Sequence, residues 1–73
     1  MNNMDKYNHY YATFSGKRVD LYNYNKQLIR RFNMNADVVN AQVSGYGKES
    51  IVAIVLKDGK SFLYKSNGQL LRR

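Results

Sequence analysis

The sequence predicts an all-β fold, an antiparallel meander of about six or seven strands. Two observations carry this. Turn dipeptides recur at short intervals between apolar stretches: Ser15-Gly16, Gly45-Tyr46-Gly47, Asp58-Gly59 and Asn67-Gly68. Proline is absent, so nothing interrupts a hydrogen-bonded ladder.

The second half reads most directly. A strand over 50–57 turns at Asp58-Gly59, a strand over 60–66 turns at Asn67-Gly68, and a last strand covers 69–73. Asp-Gly and Asn-Gly favour type I′ hairpins, in which both central residues take positive φ. Ile51-Val52-Ala53-Ile54-Val55-Leu56 is apolar on both faces and rich in β-branched residues, as a central buried strand is. Upstream, Tyr10-Ala12-Phe14 and Val19-Leu21 predict strands flanking Ser15-Gly16, and 28–32 predicts another. Residues 35–43 fit a strand through Val39, Ala41 and Val43, with a short helix capped by Asn35 as the alternative. The expected core is Phe14, Val19, Leu21, Leu28, Val39, Val43, Ile51, Ala53, Ile54, Val55, Leu56, Phe62, Leu63 and Leu70. Residues 1–8 are polar and Asn-rich, a segment expected to be flexible, and 9–73 form one small β domain.

The chain also resembles itself. Leu21 to Arg31 aligns without a gap on Leu63 to Arg73, an offset of 42 as between Tyr22 and Tyr64. Leu, Tyr, Asn, Gln, Leu and the Arg-Arg pair recur in register, and Ile29 matches Leu71. At the same offset Ala12-Thr13-Phe14 faces Ile54-Val55-Leu56. This divides the domain into a first, partial repeat (9–34) and a second repeat (35–73). Lys26 stands where the second copy has Gly68, so the first turn lacks the ideal residue. A period of about 40–45 residues is that of a propeller blade. The pattern of Tyr, an Asn-Gly turn, Gln, Leu and basic residues resembles the outer hairpin of β-propeller blades. It also resembles the hairpins of YD-type and MORN-type repeat proteins. The resemblance covers about a third of the chain and implies a hairpin repeat, with no activity attached. Repeat units bury their faces against neighbours, so an incomplete pair implies self-association or a compact meander.

Size and composition narrow the function classes. A chain of 73 residues buries roughly 60% of the surface its unfolded form exposes. Cysteine is absent, which removes disulfides and thiolate metal sites. His9 is the lone histidine, and Asp20, Asp37, Glu49 and Asp58 are scattered. No nucleophile–base pair, paired carboxylates or metal-ligand spacing is visible. Gly45-Tyr46-Gly47-Lys48 is too short for a phosphate loop. The expectation is therefore a non-enzyme without metal or cofactor. No stretch approaches the ~20 apolar residues that span a bilayer. The first residues lack the charged and apolar regions of a signal peptide, so the expected location is cytoplasmic, away from membranes.

The net charge of +7 attracts acidic partners. Basic pairs Lys17-Arg18, Arg30-Arg31 and Arg72-Arg73 interleave with tyrosines. The candidate partner-binding residues are Lys17, Arg18, Tyr22, Tyr24, Lys26, Arg30, Arg31, Tyr64, Lys65, Arg72 and Arg73. The leading expectation is a binding module for a protein with an acidic surface, or for copies of itself as a homo-oligomer, since Tyr and Arg dominate interface hot spots. A basic, aromatic sheet surface that binds single-stranded nucleic acid is the alternative, and glycan binding a third. Size and composition suit a small protein of a phage or mobile element.

Overall fold

A computed structural model describes residues 9–72; the expectations for residues 1–8 and for Arg73 lie outside the described residues. Seven strands follow in order: β1 (Tyr11–Ser15), β2 (Arg18–Tyr22), β3 (Leu28–Asn33), β4 (Val38–Ser44), β5 (Ile51–Leu56), β6 (Ser61–Lys65) and β7 (Leu70–Arg72). They form two antiparallel meander sheets, β1-β2-β3 and β4-β5-β6-β7. A 3-10 turn over Gly47–Glu49 lies between β4 and β5. Among the described residues no helix is long and apolar enough to cross a membrane.

The turns set this architecture. Gly59 and Gly68 take φ of 94° and 95°, while Asp58 and Asn67 do not take positive φ. The expected type I′ turns are therefore not formed. Each loop holds one more residue and places only the glycine in the left-handed region, as hairpin loops with a terminal bulge do. The reason is in the side chains. Asp58 Oδ1 accepts from the Lys60 N–H at 3.0 Å, and Asn67 Oδ1 from the Gln69 N–H at 2.9 Å. These bonds hold the Asp and Asn backbones in the ordinary region.

Residues 34–38 carry the chain from one sheet to the other. The Met34 N–H donates to the Lys17 carbonyl and the Val38 N–H to the Gly16 carbonyl, both at 2.8 Å. The Lys57 N–H donates to the Asp37 carbonyl at 2.7 Å. These amides serve the β1–β2 and β5–β6 turns instead of a helix, and β4 begins at Val38. The strand reading holds over its later part.

One core lies between the sheets: Val19, Leu21 and Phe32 from the first, Val38, Val52, Ile54 and Leu56 from the second. The expected core requires correction. Val52, Phe32 and Val38 belong to it, whereas Phe14, Leu28, Val39 and Leu70 are exposed. Ile51, Ala53, Val55 and Leu63 are only half-buried. In β5 only alternate residues are fully covered, because two layers leave each sheet one outer face. Val39 falls at a register shift between Val38 and Asn40 and turns outward.

Candidate functional site

The hairpin β2–β3 and the hairpin β6–β7 have the same backbone bonds. The Asn23 N–H donates to the Gln27 carbonyl at 3.0 Å, and the Lys65 N–H to the Gln69 carbonyl at 2.8 Å. The Lys26 N–H returns to the Asn23 carbonyl as the Gly68 N–H returns to that of Lys65. Lys26 takes φ of 68°, alone among the described non-glycine residues in the left-handed region. Both hairpins shift register at the same place, between Leu21 and Tyr22 and between Leu63 and Tyr64. Upstream the correspondence changes. Leu21 lies opposite Ala12 and Leu63 opposite Ala53, an offset of 41 for the preceding strand. The match of Ala12 to Ile54 is thus corrected by one residue, because the β5–β6 loop is one residue longer than the β1–β2 loop.

The two hairpins turn opposite faces to the core. Residues opposite one another in an antiparallel pair share a face. Leu21 and Ala12 face inward with Val19 and Phe32, so Tyr22 faces outward. Tyr64 lies opposite buried Val52 and faces inward, so Leu63 faces outward. The units stack face to back. Tyr64 is therefore half-buried against the core: its ring sits 4.8 Å from that of Phe32 and 6.2 Å from that of Phe62.

The outer face of the first sheet carries Tyr22, Arg18 and Arg31. Tyr22 stacks on Tyr11 with ring centroids 5.3 Å apart. Asp20 holds both arginines. Arg31 Nε donates to Asp20 Oδ1 at 2.8 Å, and Arg18 Nε lies 3.5 Å from Oδ2. The arginines cover the carboxylate, leaving Asp20 7% exposed on an otherwise open face. The hydrogen bond that Arg31 donates to Asp20, then the charge of Asp20, raise the Arg31 guanidinium above its ordinary value. A raised folded value stabilises the fold at every pH below the unfolded guanidinium value and is lost only as pH climbs through the raised one. It therefore gives no pH dependence near neutrality.

Arg30 faces the other way from Arg31, toward the second unit, as the pleat requires. It lies against the Asn67-Gly68 turn, so closely that a Cβ at Gly68 would come within 2.9 Å of Arg30 Nη1. Here an open cleft of about 420 Å³ separates the two hairpins, lined by Tyr10, Ile29, Arg30, Lys48, Glu49, Lys65, Ser66 and Asn67. Ser66 braces its floor, donating from Oγ to the Lys48 carbonyl at 2.9 Å. Arg30, Lys48 and Lys65 come from three different elements. Among the described residues none of the three makes an ion pair.

The remaining expected residues are dispersed. Lys17 lies beside Asp37, Lys57 and Asp58, where charges of both signs alternate. Tyr24 and Lys26 stand exposed in the β2–β3 turn. Arg72 lies opposite Leu63 on the outer face of the second sheet. The structure thus brings Arg30 and Lys65 together and adds Lys48, which sequence reading missed. Its neighbours Gly45 and Gly47 marked a turn, but only the β4–β5 pairing carries that turn to the cleft. Among the described residues no three His, Asp or Glu side chains group as metal ligands do. Comparison with models of protein families, with curated proteins and with solved structures returns no match.

Proposed function

We propose that the chain is a small non-catalytic binding module whose partner is an acidic protein surface, engaged through the cleft between the hairpins. The observation that supports this is the convergence of Arg30, Lys48 and Lys65, with Glu49 the single acid among the lining residues. Three cationic residues lining one cleft attract carboxylates more strongly than dispersed charge, and the net charge of +7 steers such a partner inward. The half-buried wall from Tyr10 adds contact area beside the charges.

A direct titration tests this. A fluorescent Glu-rich peptide should bind the wild type, weaken as salt rises, and be lost with Arg30→Glu combined with Lys48→Glu. Equal affinity for wild type and variant would reject the reading.

One observation favours nucleic acid as the second reading: the Tyr11–Tyr22 stack shares a face with Arg18 and Arg31. Base stacking on aromatic rings beside cations is how single strands bind without sequence preference. Against it, Asp20 engages both arginines. On the second reading Tyr11→Ala removes oligonucleotide binding and leaves the acidic peptide unaffected.

A further inference from the structure

The second sheet has an apolar outer face, whereas that of the first sheet carries Arg18, Asp20 and Arg31. Ile51, Ala53 and Val55 alternate with the buried residues of β5, and Leu63 lies opposite Ala53. All four are partly exposed. Around them stand Asn40, Gln42 and Ser44 of β4, and beyond Leu63 lie Lys65 and Arg72. The registers place no Asp or Glu on this face. In the first unit the corresponding face, with Ala12, Leu21 and Arg30, is covered by the second unit. In the second unit, among the described residues, nothing covers it. An apolar centre with a polar, cationic rim is the anatomy of an interface.

The geometry points to this face as a docking surface for a protein segment with apolar side chains flanked by carboxylates. The inference rests on the acidic-partner reading and says where the apolar part of that partner sits. Two arguments fix the occupant. Charge complementarity is the first: Lys65 and Arg72 border the apolar stripe without a balancing acid, and Lys65 also lines the cleft, so one partner can reach both. The second excludes another copy stacked as the two units stack. Such a copy would set its Lys26 turn against Arg72, where Gly68 sits against Arg30. A Cβ already crowds that place at 2.9 Å, and Lys26 adds a like charge. The incoming face would also carry Asp20, Arg18 and Arg31 where Phe62 and its apolar neighbours pack inside the chain.

Two short synthetic peptides test this, one with alternating Val and Thr between Glu triplets, the other with each Val replaced by Ser. The wild type should bind the first at least about tenfold more tightly. Ala53→Arg should erase that advantage without weakening the Ser peptide, whose Glu triplets the added cation also attracts; Leu63→Gln, a milder change, should reduce the advantage in the same direction. Melting curves establish that both variants fold. Equal affinity of the wild type for the two peptides overturns the inference and leaves the acidic-partner reading standing. If neither peptide binds, both fall. A salt-resistant dimer by light scattering, dissolved by Ala53→Arg, would assign the face to a second copy and overturn the inference as well.

Discussion

The hairpins β2–β3 and β6–β7 share loop length, hydrogen bonds and bulge position, yet they meet the core with opposite faces. Backbone geometry follows from local sequence, because turn residues and side-chain-to-backbone bonds act within a few positions. The face presented to the core follows from stacking order. A unit that packs its front on the back of the next turns Leu21 inward in one copy and Tyr64 inward in the other. Similar strings therefore carry different roles: half-buried Tyr22 stacks on Tyr11 on the outer face, and half-buried Tyr64 packs against the core on Phe32.

The sharpest way to break this arrangement is at the seam between the units. Ile54 is fully buried between the sheets. Ile54→Asp places a carboxylate there with nothing to offset its desolvation. It should abolish cooperative unfolding in a denaturant titration, since a loss above about 4 kcal/mol takes most of a small domain's stability. By contrast Ala53→Asp, one residue away on the outer face, should retain a cooperative transition.

A smaller effect sharpens the comparison of the turns. Lys26 and Gly68 occupy the same left-handed position. A side chain there costs about 1–2 kcal/mol, so Lys26→Gly should stabilise the chain by about 1 kcal/mol. Gly68→Lys should destabilise it by at least as much, because it also displaces Arg30. Chemical denaturation midpoints read both, and equal small effects of one sign would contradict the shared geometry.

A further difference lies in the asparagines. Asn23 Oδ1 accepts from the Asn25 and Gln27 N–H groups, and its Nδ2 donates to Gln27 Oε1. Asn67 Oδ1 accepts from the Gln69 N–H. The first turn thus uses extra side-chain bonds where the second uses glycine. Asn23→Ala should lower the melting temperature more than Asn67→Ala, each cost being near ~1 kcal/mol per bond lost.

Much of the fold was legible in the sequence for these local reasons. Turn residues punctuate the chain at every hairpin, and the strands fall between them. The placement of 35–37 was less legible, because the Met34 and Val38 N–H groups and the Asp37 carbonyl bond to turns distant in sequence. The reading of β5 as buried on both faces failed through layer number, which local hydrophobicity does not encode. The candidate site was legible in part. Arg30 and Lys65 were visible as cations of the recurring hairpin, and the split of Arg30 from Arg31 follows from the pleat. Lys48 was hidden because it reaches the cleft through a pairing between strands. Asp20 looked like a scattered acid, and only the registers of β2 and β3 show that it holds two arginines on one face.

The most direct test of the central claim, that the cleft and not the general positive charge receives an acidic partner, compares two variants of equal net charge. Arg30→Gln with Lys48→Gln removes cleft cations, while Lys57→Gln with Lys60→Gln removes cations outside the cleft lining. Affinity for the Glu-rich peptide should fall at least about tenfold in the first and stay near wild type in the second. Equal losses in both would show that the peptide responds to net charge alone and would contradict the account.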